Sequence, residues 1–333
     1  MNEKLLRETA QKMVAKGKGI LASDESNPSA NKSLARAGVA PTEENRRRYR
    51  ELFICTPGIN KYLNGVILSD ETFGQRSLED MPFREVLSEQ GILVGIKVDM
   101  STEEIPNSNG EKFTQGLDGL DDRLQKYFDE GANFAKWRSI FSVGEGKPSD
   151  EAVEINSLGM AMYAAMCQKQ NIVPIVEPEV LYEGNHTVEQ AFKATLKVLK
   201  RVFKELSEHK VYLPGVILKT SMVLPGKDSG ENVPDKAIAQ ATVEVLRECV
   251  PEKIGGVVFL SGGQTPNQAS QNLDEIAKLE PLPWEITFSF LRAIEGPALE
   301  VWQGKDENVE EARKVFLEML KNNVAADAGE FED

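Results

Sequence analysis

The run GVILKTS carries Lys219 where its segment is otherwise apolar. An amine set in apolar surroundings beside a second ammonium loses proton affinity, because desolvation and like charge both disfavour the protonated form. The free amine then attacks a ketone to give a Schiff base, whose iminium withdraws electrons and lets a neighbouring C–C bond break. Lys136 is the candidate second ammonium. Such chemistry also needs groups that dehydrate the carbinolamine and take a substrate hydroxyl proton. Glu177, Glu179 and Asp24 are available for that work. The residue pattern alone does not rank Lys219 above Lys136 or Lys97, which are also lysines in apolar runs.

These residues must be held by something, and the chain shows a repeating arrangement that can do it. Eight apolar runs, many rich in Val and Ile, occur at 19–26, 65–71, 93–99, 134–140, 172–180, 215–221, 256–263 and 285–292. Runs of this kind suit strands of a parallel sheet buried on both faces. Amphipathic stretches separate them. Between Thr187 and Lys210, apolar residues recur at helical spacing, and Thr187 with Gln190 makes a capping box. Thr265 and Gln268 make another, with Pro266 at the first helical position. Pro234 opens a third helix. Eight strands alternating with helices predict an α/β fold, a (β/α)8 TIM barrel with extra N- and C-terminal helices. An open doubly wound sheet fits less well, since no GxGxxG follows the first run. Residues 1–333 read as one domain, with an acidic tail from about 325 expected to be flexible.

In such a barrel the C-terminal strand ends form the working face. Those ends carry Asp24; Lys97 and Asp99; Lys136 and Arg138; Glu177 and Glu179; Lys219; Ser261-Gly262-Gly263; and Ser289 with Arg292. Side chains two apart on a strand share a face, so Lys136 pairs in direction with Arg138, and Glu177 with Glu179. Mutual ion pairing explains any one of these residues, but not the same pattern at seven strand ends. The cations concentrate there in a chain that is strongly acidic overall, which suggests an anionic substrate. Gly262 and Gly263 expose backbone N–H groups, and Arg292 adds a bidentate donor at the place where barrels commonly bind phosphate. A tight turn before a helix explains Ser-Gly-Gly equally well alone; Arg292 on the next run favours phosphate. Lys97, across the barrel, suits a second phosphate.

Composition excludes several alternatives. The 333 residues carry a formal net charge of −14, which argues against a nucleic-acid binder, since that role needs a basic face to neutralise phosphates. Cys55, Cys167 and Cys249 are far apart and odd in number, against a disulfide framework and for a reducing compartment. Only His186 and His209 are present, too few for a three-His zinc site, so neither a metal nor another cofactor is expected. The N-terminal stretch is amphipathic and charged throughout, and no run approaches the ~20 apolar residues of a membrane span. The expected location is the cytoplasm.

The stretches GKGILASDES, TEENRRRYR, GVILSDET, VGIKVD, TQGLDGLDDR, GANFAKWR, IVPIVEPEVL, YLPGVILKTSMVLPG, GVVFLSGGQ and TFSFLRA fall in order from about Lys12 to Val324. Together they resemble the class I fructose-1,6-bisphosphate aldolases, the Schiff-base, metal-independent lyases. The resemblance implies that Lys219 forms the Schiff base and that Glu177 is the acid/base in dehydration. It implies that Glu179 orients Lys219 and Lys136, that Asp24 takes the C4 hydroxyl proton, and that Arg138 helps place the substrate. Ser261, Gly262, Gly263, Ser289 and Arg292 would hold the C1 phosphate; Ser26, Ser29 and Lys97 would lie near the C6 phosphate. It also implies a homotetramer acting on fructose 1,6-bisphosphate, with sedoheptulose 1,7-bisphosphate and fructose 1-phosphate as further substrates.

Three departures stand out. Animal members usually have an arginine where this chain has Ser33, and a glycine where it has Leu291. They also close on a helpful C-terminal Tyr, whereas the last Tyr here is Tyr212. Two other readings remain open at this level: a barrel isomerase with a Glu base and a Lys electrophile, and a scaffold that only binds. The presence of Asp24, Lys136, Glu177, Glu179 and Lys219 together argues against the scaffold.

Overall fold

The computed structural model describes residues 1–332. Eight parallel strands close a barrel: β1 Gly19–Ser23, β2 Leu63–Leu68, β3 Leu93–Lys97, β4 Phe134–Phe141, β5 Val173–Val180, β6 Ile217–Thr220, β7 Gly256–Phe259 and β8 Ile286–Phe290. Each strand hydrogen-bonds to its sequence neighbour, and β8 closes on β1 through Ser289 beside Ile20. All eight expected runs supply a strand. Some borders differ. Asp70 and Glu71, expected on the second strand, open the short helix Asp70–Gly74, which Ser69 caps. Arg292, expected on the eighth, is the first residue of helix Arg292–Trp302.

The inner face of the barrel explains why it closes. Ile20, Ala22, Ile67, Leu93, Phe134, Val173, Ile175, Ile217 and Val258 form one apolar cluster. The N-terminal helix Glu3–Met13 joins it with Leu6, Ala10 and Met13, and Val14 follows. Glycines let the helix seat closely against the strand starts. A Cβ on Gly255 would come within 2.8 Å of the Ala10 methyl, and one on Gly256 within 2.6 Å of Val14. The N-terminal helix is therefore the floor of the barrel.

The helices expected from capping chemistry are present. Val188–Glu208 and Pro266–Ala277 both begin with complete capping boxes, Thr187 with Gln190 and Thr265 with Gln268. Helix Val309–Asp327 runs into the acidic end of the chain, where the Phe331 N–H donates to Asp274 Oδ1 at 2.9 Å. Asp333, the last residue of that end, lies outside the described residues. Among the described residues no helix is long and apolar enough to cross a membrane.

One element was not anticipated. After β3, Thr102–Glu104 and Lys112–Thr114 pair as an antiparallel hairpin. The Thr114 hydroxyl lies 2.9 Å from both the Arg138 carbonyl and the Ser139 hydroxyl, so the hairpin braces β4 where its side chains turn polar.

Candidate active site

Following each inward row toward the strand ends, apolar side chains give way to ionisable ones. On β4 the row runs Phe134, Lys136, Arg138; on β5 it runs Val173, Ile175, Glu177, Glu179; on β6, Ile217 leads to Lys219. Asp24 follows β1 on the row of Ile20 and Ala22. The period of two that packs the floor therefore also aims these groups into the mouth. Asp24, Lys136, Glu177 and Lys219 are each no more than 5% exposed.

Glu177 is the centre of this group. Its Oε1 lies 3.1 Å from Lys219 Nζ, and its Oε2 lies 3.0 Å from Lys136 Nζ. Lys136 Nζ also sits 2.5 Å from Asp24 Oδ2. These are charge contacts more than aligned hydrogen bonds on Lys136, since neither of the two carboxylate oxygens facing it has a hydrogen-bond partner of good geometry.

The environment separates the two lysines. Burial pushes the Lys219 amine below its ordinary value, and the Lys136 ammonium pushes it further, against the pull of Glu177 and Asp24. Burial also acts against Lys136, but Asp24, Glu177 and Asp99 more than offset it and hold its ammonium well above the usual range. Burial raises Asp24, yet the charges of Lys136, Lys219 and Lys97 bring it down to about 2. Glu177 follows the same logic: burial raises it, and Lys136, Lys219 and Arg138 outweigh that and lower it. Groups driven apart in this way take distinct acid and base roles. The arrangement offers an amine, a fixed ammonium and two carboxylates in one water-poor space.

Around this centre, Arg138 Nε pairs with Glu179 Oε2 at 2.5 Å. Glu179, expected to orient Lys219 and Lys136, makes no ion pair with either lysine among the described residues. Glu177 bridges both lysines, and Glu179, one pleat nearer the mouth, meets the guanidinium of Arg138, whose register partner on β5 is Glu177. Lys97 pairs with Asp99 Oδ1 at 3.1 Å and keeps its side chain about one-fifth exposed.

The anion-binding candidates lie at the ends of β7 and β8. Ser289 is buried, and its hydroxyl has no hydrogen-bond partner among the described residues. Arg292 is exposed at its helix N-terminus and makes no ion pair among the described residues. Leu291, just before it, is the N-cap, and its carbonyl accepts from the Ile294 and Glu295 N–H groups at 3.0 and 2.8 Å. Gly263 has φ of +82°, and a Cβ there would strike the Tyr182 ring at 2.4 Å. The turn geometry alone therefore demands glycine at this position, as the tight-turn explanation held. A Cβ on Gly262 would crowd Glu179 Oε1 at 3.1 Å. Ser261 is buried beside them. Ser26 and Ser29 are exposed at the start of helix Asn27–Arg36, 3.1 Å apart through their hydroxyls. Ser33 donates to Glu25 Oε1 at 2.8 Å.

Sequence reasoning passed over a second buried polar group. Tyr49, Arg50 and Glu295 meet Ser23 and Glu25 directly behind Asp24. A signal existed in the charged run EENRRRYR, whose Tyr49 and Arg50 fall at positions that face the barrel.

Residues 5–333 of the sequence match the family model for class I fructose-bisphosphate aldolase. A cytosolic fructose-bisphosphate aldolase of Arabidopsis thaliana is 45% identical, covering 95% of this chain and 81% of that protein. The fructose-bisphosphate aldolase of Dictyostelium discoideum is 44% identical, covering 99% of this chain and 94% of that one. The solved aldolase of Plasmodium falciparum, in complex with TRAP and a small-molecule inhibitor, superposes with a TM-score of 0.98 at 43% identity, covering 99% of this chain and 96% of that one. The chain belongs to the class I fructose-bisphosphate aldolase family. This aldolase cleaves fructose 1,6-bisphosphate reversibly to dihydroxyacetone phosphate and glyceraldehyde 3-phosphate, by the metal-independent Schiff-base route of class I. It is a carbon–carbon lyase of glycolysis, and the isomerase reading falls with that assignment.

Proposed function

We propose that Lys219 is the amine that carries the substrate. The observation that supports this most strongly is the shared carboxylate: Glu177 lies 3.1 Å from Lys219 and 3.0 Å from Lys136, while burial and charge lower one lysine and raise the other. In this reading the neutral Lys219 amine attacks the C2 ketone, and the C2 oxygen becomes an alkoxide held near the Lys136 ammonium. That alkoxide takes a proton from the Lys136 ammonium to become the C2 hydroxyl. Glu177 takes a proton from the nitrogen and gives it to this hydroxyl, which leaves as water, so the iminium forms, and the later hydrolysis returns the proton to Lys136. Asp24, already ionised, takes the C4 hydroxyl proton. The C3–C4 electron pair then moves into the iminium as an enamine, and the aldehyde departs. Protonation at C3 and hydrolysis release the ketose phosphate and restore the amine.

Ser261, Gly262, Gly263, Ser289 and Arg292 are assigned to the C1 phosphate, supported by the Ser289 hydroxyl, which has no hydrogen-bond partner among the described residues, and by the exposed Arg292. Ser26, Ser29 and Lys97 are assigned to the C6 phosphate, with Arg138 and Glu179 lining the path between. Sedoheptulose 1,7-bisphosphate and fructose 1-phosphate share the ketone and C1 phosphate, and we extend the substrate range to them; kcat/KM across the three ketoses tests this. We take residues 1–333 as one barrel domain acting in the cytoplasm as a homotetramer. Ile155, Leu158 and Met162, between 36% and 39% exposed along helix Asp150–Lys169, offer an apolar stripe for assembly. Light scattering on the eluted protein tests the assembly.

Borohydride reduction with dihydroxyacetone phosphate, followed by peptide mass mapping, tests the central assignment. A substrate-dependent adduct on the peptide carrying Lys219 is the expected result. An adduct on Lys136 or Lys97 instead, or none with ketose bound, overturns it.

A further inference from the structure

We propose that Arg50 is a positioning residue for Asp24. The inference rests on the reading of Asp24 as the proton acceptor in cleavage. Arg50 is fully buried, on helix Glu43–Ile54. One of its terminal nitrogens donates to Ser23 Oγ at 3.2 Å, and the other to Glu25 Oε2 at 3.3 Å. Ser23 and Glu25 are the two residues flanking Asp24 where β1 ends. The guanidinium thus grips the backbone segment that carries the acceptor, from behind the barrel wall.

Arg50 is itself held. Its Nη1 donates to Glu295 Oε2 at 3.2 Å, and the Tyr49 hydroxyl donates to the same oxygen at 2.7 Å. The guanidinium also stacks over the Tyr49 ring at 4.7 Å. Glu295 lies one turn beyond Arg292 on the same helix, so the chain that presents the candidate phosphate arginine also anchors the clamp on Asp24.

Stability does not account for this cluster. It places two carboxylates and a tyrosine around one guanidinium where apolar side chains would pack at lower desolvation cost. Glu295 is wholly buried and leaves Oε1 without a hydrogen-bond partner among the described residues. What the cluster does provide is a fixed fork geometry on both sides of Asp24, which a lysine or an apolar side chain cannot reproduce.

The test measures cleavage kinetics and borohydride trapping of dihydroxyacetone phosphate in parallel. The variants are Arg50→Lys, Asp24→Ala, their combination, and Glu295→Gln, all in the full chain. Trapping needs Lys219 but no C4 proton transfer, so it reports the rest of the site. Arg50→Lys is expected to lower cleavage kcat about 10²-fold, the scale of an ångström-size misplacement, while KM and trapping hold. In the Asp24→Ala background the same change is expected to add little, because its target is gone. Wild-type cleavage by Arg50→Lys overturns the proposal, as does an equal loss in trapping or a full added loss in the combined variant. Near-normal cleavage by Asp24→Ala instead overturns the underlying reading, whatever Arg50→Lys does. If Arg50→Lys does not fold, Glu295→Gln decides, since it keeps an oxygen for Arg50 and Tyr49. A kcat loss of about tenfold with intact trapping is expected there, and an unchanged kcat overturns the clamp.

Discussion

The two ends of the barrel are built from the same strands and do opposite things. At the floor, Phe134, Val173, Ile175 and Ile217 pack against the N-terminal helix in a dry apolar cluster. Two residues further on, the same inward rows present Lys136, Glu177 and Lys219. The floor gains from burial at about 25 cal/mol per Å² of apolar surface, and it gains rigidity from close packing. The mouth buries charge, which costs stability unless every ion is matched. The difference teaches that the floor makes the mouth possible. Only a stiff, water-poor scaffold can hold Lys219 in a place where burial lowers its proton affinity. Mutations at the mouth should therefore cost activity, and mutations at the floor should cost stability.

The largest expected effect tests that division at its sharpest point. Lys219→Met should cut turnover on the order of 10⁴–10⁶-fold, the scale of removing a covalent nucleophile, while thermal melting stays at or above wild type. A large fall in Tm with retained activity would erase the contrast between the ends. Asp24→Ala comes next. It should still trap ketose on borohydride but cleave 10²–10⁴-fold more slowly, the usual range for a lost general base.

Lys136→Met sharpens the electrostatic part. Lys136 is a like charge that lowers Lys219, whereas Glu177 and Asp24 raise it. Removing Lys136 leaves the two carboxylates unopposed, so the Lys219 amine should hold its proton to higher pH. The pH profile of trapping should move upward by about one unit or more, equivalent to roughly tenfold slower trapping near neutrality. A profile that stays in place would show that Lys136 does not set the amine.

At the floor, Gly255→Ala would press a methyl within 2.8 Å of Ala10 and of the Val216 carbonyl oxygen. It should lower unfolding free energy by about 1–3 kcal/mol in denaturant melts, with kcat per folded molecule unchanged. A kcat defect without a stability defect would move this glycine to the mouth's side of the comparison.

The smallest effect is a pH dependence at the same end. Burial raises Asp327 to about 7, with the Thr287 hydroxyl and the Gly17 N–H partly opposing it. The folded state therefore holds this proton more tightly than the unfolded chain does. Its contribution is complete below the ordinary carboxylate range and is lost as pH rises through about 7. Asp327→Asn should remove that slope and leave the protein about 1–2 kcal/mol more stable than wild type at pH 8, but not at pH 4. Equal stability of the two at both pH values would show that Asp327 is not buried in its acidic form.

Much of the site was legible because one rule served both fold and function. The period of two that makes a run a strand also says which side chains share its inner face, and the end of each run is its mouth. That logic alone brings Asp24, Lys136, Glu177 and Lys219 to one end of the barrel. It could not choose among the lysines, because proton affinity depends on partners from other strands. Lys97 pairs with Asp99 and stays partly exposed, Lys136 lies between two carboxylates, and Lys219 has one. Nor could it tell that Glu179 turns to Arg138, since both glutamates share a face and differ only in height along the strand. The hairpin of Thr102–Glu104 and Lys112–Thr114 was missed because its strands are too short and polar to show a period, although Pro106 to Gly110 marks its turn.

The sequence by itself determined the barrel, its eight strands, the capped helices and the crowd of ionisable groups at one end, since these follow from local patterns of polarity and turn chemistry. Only the tertiary structure decided which carboxylate meets which lysine, which lysine has its proton affinity lowered, and that Arg50, Tyr49 and Glu295 close in behind Asp24. Those outcomes depend on distances between residues tens to hundreds of positions apart and on the water that packing excludes. Neither quantity is carried by any single stretch of the chain.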